Sequence, residues 1–427
     1  MDFDSKRAFG LIEELSYERV SGTAEETRTA EAIMEKVKAL SIDCHIEEFE
    51  VEDGKVSDAR LMVLEPYCKE YEVTGYIRSD STPDEGLILD LAYVEDGHPT
   101  CLRNVKGKAV LANGSIYRKK YEKIQKAEPA AIIGFVGNIN DKNEETDFDI
   151  GKLRETMTAD FGTNVVVNLR AKDAMELVAR GASKVKIIVK SERFKSVSHN
   201  VCAEIRGTEF PDEIISYGAH YDSVRFSKGA YDNMTGSAVI LEVLRYFAAN
   251  PPKRTLKFNW FGSEEQGLLG SKAYVKLHED ELEKHELMIN VDMAGPILGY
   301  EFATITGNDA IKPYLDGIMD ENGLAVESDN DIYSSDSIPF ADSGVPAINF
   351  GRWFANGAGF IHSRRDDLAL EFLSADALGK TIESVLTFSK RVVNANVFPI
   401  KREISDEIRK KVDEYLFKKK DESPKKG

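Results

Sequence analysis

The chain has 427 residues, of which 42% are hydrophobic and 30% charged, enough for two or three globular domains and a substantial core. Its 74 acidic against 56 basic residues leave a formal charge of -18, which argues against nucleic acid or anionic lipid as the main partner, because both would repel it. The same surplus supplies carboxylates for a hard or borderline cation.

Met1 to Arg7 leads into an amphipathic pattern without the continuous apolar core of a secretory signal. No stretch approaches about 20 uninterrupted apolar residues, so no membrane span is expected and the expected location is the cytoplasm. Cys44, Cys68, Cys101 and Cys202 lie far apart with no Cys-x-x-Cys, which reads as free thiols in a reducing compartment.

Phe9 to Leu40 carries two helical patterns separated by Arg19-Val-Ser-Gly22-Thr23; the second keeps Ala30, Ile33, Met34 and Val37 on one face. An alternating strand follows from Cys44 to Val51, and His45 within it reads as a surface or packing residue. From Lys55 to Lys190 the strands shorten and turns multiply. This stretch predicts helices over Lys119–Ala127 and Ala171–Arg180, a strand over Ala130–Val136, and a polar surface loop over Asn138–Asp149. After Ser198-His199-Asn200, strands and helices alternate to about Val393, which predicts an α/β fold: a mostly parallel, mixed sheet covered by helices on both faces. Glu403 to Lys420 reads as a charged, solvated helix before a polar tail.

Within the alternating region, polar clusters stand where strands hand over to helices. His220 and Asp222 follow the apolar run Ile214–Tyr217, and Asp232 precedes a helix over Ser237–Phe247. Glu264-Glu265 follows Leu256–Phe261, Asp292 ends Met288–Val291, and His362 follows the strand Pro346–Phe350. Ligands of open α/β sheets bind outside the carboxyl ends of the strands. Two imidazoles and three carboxylates there can hold two divalent ions that share one carboxylate, and three carboxylates supply most of the negative charge such a pair needs. Adjacent side chains on extended backbone point apart. If Glu265 reaches a metal, Glu264 is therefore free to act as a general base on water. Taken singly, each residue has an ordinary reading: a satisfied histidine, an N-capping Asp232, a surface Glu pair. The set is what argues for a site. His199, His278 and His285 fall outside it and read as structural or solvated, and the Asn233-Met-Thr235 sequon reads as unused.

In order and spacing these motifs resemble the co-catalytic di-zinc aminopeptidases, the clan MH metallopeptidases that include aminopeptidase Y and glutamate carboxypeptidase II. The resemblance implies the zinc exopeptidase fold and two zinc ions, one held by His220, Asp232 and Asp292, the other by Asp232, Glu265 and His362. It makes Glu264 the base and has Asp222 and Asp366 orient the histidines. Lys106–Leu111, Lys123–Phe135 and Asn164–Val189 resemble the landmarks of a protease-associated domain. The implied organisation is a discontinuous peptidase domain over 1–54 and 191–400, a small β-rich insert over 55–190, and a charged helix and tail over 401–427.

The implied activity is removal of N-terminal residues from peptides. A carboxypeptidase is the alternative, with Arg352 or Arg364-Arg365 taking a C-terminal carboxylate. A catalytically inactive interaction protein on the same fold is the alternative of another class, and it would be expected to lack ligands. Tyr333, Asp336 and Arg352 are the candidates for substrate contacts, and Phe226, Phe340, Trp353 and Phe360 are further candidates to line a pocket.

Overall fold

The computed structural model describes residues 2–418. The chain divides into two compact units, Met1–Glu50 with Val197–Gly427, and Val51–Ser196. The boundaries fall inside two long strands, Asp43–Glu65 and Lys184–Ile205. No turn or linker composition marks those points, so a reading from the sequence sets the limits at 54/55 and 190/191 instead.

The first unit is built on a mixed sheet in the order Val326–Asn330, Gly299–Thr306, Ala347–Phe354, His285–Val291, Phe210–His220, Arg254–Phe261 and the end of Lys184–Ile205. Its four central strands, from Ala347–Phe354 to Arg254–Phe261, are mutually parallel. Antiparallel pairing occurs only on either side of them. Parallel strands need both faces covered, and the side chains divide accordingly. Leu287, Ile289, Val291, Ile348 and Phe350 enter one core with the helices Ser5–Leu15, Thr235–Ala249 and Ala375–Val393. Met288 and Ala347, one residue out of phase, enter a second core with Tyr274, Phe340 and Phe261. Phe340 is thus a packing residue rather than the pocket aromatic expected from its position.

The second unit has a sheet whose strands Leu87–Tyr93, Ala109–Leu111, Ala131–Val136 and Val165–Arg170 run parallel. Alternation again separates two cores: Leu111, Ile133 and Val167 on one side, Val110, Ile132 and Val166 on the other. Its helices Arg118–Gln125 and Ala171–Ala179 lie within a residue or two of the expected ones. The Asn138–Asp149 stretch includes a single 3-10 turn, Asn143–Glu145, and a buried Thr146.

The C-terminal helix spans Asp406–Tyr415, capped by the Ser405 side chain. It buries Ile408 and Val412 beside Ile338 and Leu268, so it is docked rather than fully solvated; the expected extension through Lys419 and Lys420 lies outside the described residues. Among the described residues no helix is long and apolar enough to cross a membrane.

One glycine decides how closely a helix approaches the central sheet. A Cβ on Gly236 would stand 2.2 Å from the Val291 carbonyl and 2.5 Å from Asn233 Oδ1, far inside van der Waals contact. Gly236→Ala is therefore expected to destabilise the first unit by about 1–3 kcal/mol through overpacking. The check is urea unfolding followed by the fluorescence of Trp260 and Trp353, the chain's two tryptophans.

Candidate metal centre

The chemical groups predicted from the sequence gather at the carboxyl ends of the four central parallel strands or in the loops that leave them. His220 closes Phe210–His220, Glu264 and Glu265 follow Phe261, Asp292 follows Val291, and His362 lies in the loop after Phe354. The register aligns these ends, with His220 opposite Phe261, Gly218 opposite Asn290, and Val291 opposite Phe350. Asp232 arrives from the turn before the helix Thr235–Ala249, whose N-terminal backbone dipoles favour a nearby carboxylate.

The side chains converge as two triads with a common member, His220–Asp232–Asp292 and Asp232–Glu265–His362, the ligand atoms of each lying within 4.8 Å of one another. His220 Nε2 is 3.1 Å from Asp232 Oδ1 and 3.7 Å from Asp292 Oδ1. On the other side, His362 Nε2 is 3.1 Å from both Asp232 Oδ2 and Glu265 Oε2. Tetrahedral zinc with bonds of about 2.0–2.2 Å has donor–donor edges of about 3.3–3.6 Å, so both triads fit a cation with only small adjustments. Asp292 Oδ1 is buried and has no hydrogen-bond partner, as a donor reserved for a cation would be.

The electrostatics follow from crowding. Burial by itself would lower the basicity of His220, but Asp222, Asp232 and Asp292 raise it well above the ordinary histidine range. Burial would raise Asp232, yet His220 and His362 hold its carboxyl below the usual range. Asp232 and Glu265 raise His362, which sits on the open rim of the site. Glu265 is pushed up to about 7 by burial and by Asp232. Burial likewise drives Glu264 well up, with His220 opposing and Glu265 reinforcing.

The supporting contacts divide into those expected and those not. Asp222 Oδ1 lies 3.3 Å from His220 Nδ1, the predicted orienting contact. Its carboxylate also accepts from the backbone N–H groups of Glu264, on Oδ1 at 3.0 Å, and Glu265, on Oδ2 at 3.3 Å, so one carboxylate lies against a histidine and holds the Glu pair. Asp366, expected to orient His362, instead accepts from Tyr231 N at 2.7 Å and Asp232 N at 2.9 Å. Its carboxylate is spent on holding the backbone of Asp232, the member common to both triads. His362 at φ 50° and Ser263 at φ 58° adopt left-handed backbone, a conformation that clusters at functional sites.

Three side chains were expected to meet substrate. Tyr333 is partly buried, and the charges of Asp292, Asp232 and Glu264 act on its phenol. Asp336 is fully buried, raised to about 7 by burial, and close enough to Glu264 to act on its charge; burial removes it from direct contact. Arg352 is buried too. It donates to the Pro296 and Ile297 carbonyls at 2.7 and 3.3 Å and pairs with Glu301 at 3.1 Å, which leaves its guanidinium engaged within the fold. His285, by contrast, is the structural histidine expected, bonded to Ser216 Oγ at 2.8 Å.

Sequence reasoning missed Arg19 and Asn233. Arg19 is completely buried, and its guanidinium donates only to carbonyls, those of Tyr221, Leu15, Tyr17, Lys228 and Gly229. Burial lowers its pKa to about 10 while Asp366 and Asp222 oppose, so it remains a cation behind the site. Asn233 donates to the Val291 carbonyl and accepts from Gly236 and Met293 N–H, at 2.9, 2.9 and 3.0 Å. Neither has a motif that separates it from a surface residue.

Asp366→Ala would leave the Tyr231 and Asp232 N–H groups unpaired in the interior. It is expected to weaken divalent-metal binding by about 10- to 100-fold with the fold retained, as measured by competition with a calibrated chelator and by circular dichroism.

The wider resemblances agree with the site. Residues 200–389 match peptidase family M28. Aminopeptidase YwaD of Bacillus subtilis is 28% identical over 371 residues, covering 82% of this chain and 76% of that protein. Carboxypeptidase Q of Xenopus laevis is 26% identical, covering 83% and 78%. In fold, the chain superposes on BSAP, a zinc aminopeptidase from Bacillus subtilis, with a TM-score of 0.77 at 24% identity, over 95% of this chain and 99% of that one. The span that matches peptidase family M28, under half of the chain, contains all six of the groups that converge at the strand ends, and the chain is a hydrolase of the metallopeptidase type.

Proposed function

We propose that the chain is a two-zinc aminopeptidase in which His220, Asp232 and Asp292 hold one ion, Asp232, Glu265 and His362 hold the other, and Glu264 is the general base. The observation that carries this reading is the division of the Asp232 carboxylate, one oxygen 3.1 Å from His220 and the other 3.1 Å from His362. A carboxylate spread between two imidazoles in this way is the bridge a co-catalytic pair requires. Zinc bound there supplies Lewis acidity, polarising the scissile carbonyl and acidifying water.

Glu264 follows directly on the backbone held by Asp222, and its raised carboxyl suits a group that must accept a proton and give it back. It takes the proton from water and delivers it to the departing amine. The state of Arg352 supports attack at the amino terminus: this candidate for a C-terminal carboxylate is occupied by Glu301 and two carbonyls. The name of the Bacillus subtilis relative points the same way. In this reading the Val51–Ser196 unit, with its own two-sided core, is a protease-associated insert.

Glu264→Gln is expected to lower turnover by about 100- to 10,000-fold, the usual contribution of a general base, while metal analysis still finds the wild-type zinc content. Loss of zinc in that variant, or near-normal turnover, would remove Glu264 from the role. For direction, peptides with free ends should be cut and N-acetylated ones refused, with C-terminal amidation tolerated. Cleavage of acetylated peptides together with refusal of amidated ones would instead make the protein a carboxypeptidase.

A further inference from the structure

A second group of potential ligands in the same unit shares no residue with the Asp232 triads. On the strand Asp43–Glu65 side chains alternate, so His45 and Glu47 project from one face while Cys44 enters the main core from the other. Cys202, opposite Asn259 in the neighbouring pairing, lies in the core that includes Tyr274 and Phe261. The ligand atoms of His45, Glu47 and Cys202 fall within 4.8 Å of one another.

The details go beyond a surface ion pair. Two imidazoles converge on a single oxygen: His45 Nε2 is 3.1 Å and His278 Nε2 2.8 Å from Glu47 Oε1. The other oxygen, Glu47 Oε2, is buried with no nitrogen or oxygen donor on it. The Cys202 thiol lies against the same carboxylate, and burial together with Glu47 raises it well above the ordinary thiol range. His278 is itself held, its ring 4.3 Å from that of Tyr274 at 32°. A solvated Glu–His pair accounts for Glu47 Oε1 but not for the buried Cys202 thiol against the same carboxylate, nor for the buried Glu47 Oε2, which has at most that weak S–H donor near it.

We infer that His45, Glu47 and Cys202 form a third cation site, for a thiophilic borderline ion such as zinc, with His278 fixing the Glu47 carboxylate. On binding, the Cys202 thiol gives its proton to solvent. Thiolate, carboxylate and neutral imidazole then surround the divalent ion, and the site is electrically neutral. A thiolate in the donor set selects zinc over magnesium or calcium. The His45 side chain is 62% exposed, so the fourth position opens to water. The ion would tie the N-terminal strand to the sheet, stabilising the folded state by mass action.

Cobalt(II) distinguishes this site from the other. The Asp232 triads contain no sulfur, so a thiolate-to-cobalt charge-transfer band in the near ultraviolet reports only on cysteine ligation. Metal-free full-length protein titrated with cobalt should develop the band and take up one equivalent more than His45→Ala. Both His45→Ala, a substitution at an exposed position that leaves the fold intact, and Cys202→Ser should lose the band. Asp232→Ala should keep it, and His278→Ala should require about 10- to 100-fold more cobalt to reach it. No band in fully loaded wild-type protein overturns the inference. So does a band that survives His45→Ala, since the cobalt would then sit on another cysteine, or one lost with Asp232→Ala.

Discussion

Everything at the catalytic end of the first unit depends on where the Asp232 carboxylate is held. Its two oxygens face two imidazoles that come from strands on different sides of the sheet centre, so a small shift of this one residue opens both triads at once. The fold fixes it through the backbone. Asp366 takes the N–H groups of Tyr231 and Asp232, Asn233 is bonded to the end of the strand that carries Asp292, and Gly236 lets the following helix close against the Val291 carbonyl. The next residue in the chain therefore serves the site as much as the ligand does, because a ligand is only as well placed as the backbone that carries it.

The second constraint is charge. Asp222, Asp232, Asp292, Asp336 and Asp366 are all buried in this region, and the cationic side chains there are few. The Arg19 guanidinium donates only to carbonyls, so its charge acts on the carboxylates at longer range. Burial, reinforced by neighbouring carboxylates, pushes Glu265, Asp336 and Asp366 each to about 7. Such a cluster is costly to bury by itself and becomes nearly neutral once divalent cations are supplied. The accumulation of negative charge is the electrostatic counterpart of the donor geometry, and it agrees with the proposed two-zinc reading.

The parts of this molecule that could be read in its sequence are those in which a local pattern carries the information. Towards their carboxyl ends the strands Phe210–His220, Arg254–Phe261 and His285–Val291 form buried, largely apolar runs because both faces of a parallel sheet are covered. A polar residue that breaks such a run at its end stands out, which is why His220, Glu264, Glu265 and Asp292 could be picked out. Asp366 and Arg352 were legible as residues but not in their partners. Asp366 lies four positions from His362 yet bonds a segment 134 residues away, and Arg352 finds Glu301 through antiparallel pairing of Glu301 with Arg352 itself. The unit boundaries were hidden for a different reason: they fall within strands, where the chain has no need of turn residues. His45 and His278 were set aside singly because only tertiary structure brings them to the same Glu47 oxygen.

The first fifty residues show how far the site extends beyond the span that matches the family. Arg19 binds the carbonyls of Tyr221, Lys228 and Gly229, the loop that joins His220 to Asp232. Glu26, buried and raised to about 8, bonds Ser198, whose hydroxyl meets Ser263, the residue before Glu264. Ser21 reaches Ser263 as well. Both loops are thus held from outside residues 200–389, by Arg19 and Ser21 on the segment between the helices Ser5–Leu15 and Ala24–Lys38 and by Glu26 on the second of these helices. A buried guanidinium with every bond to a carbonyl is stable only if those carbonyls stay in place. The N-terminal segment and the two loops must therefore order together, which explains in physical terms why this unit is discontinuous: the segment that completes the site precedes the Val51–Ser196 unit, and the residues it organises follow it.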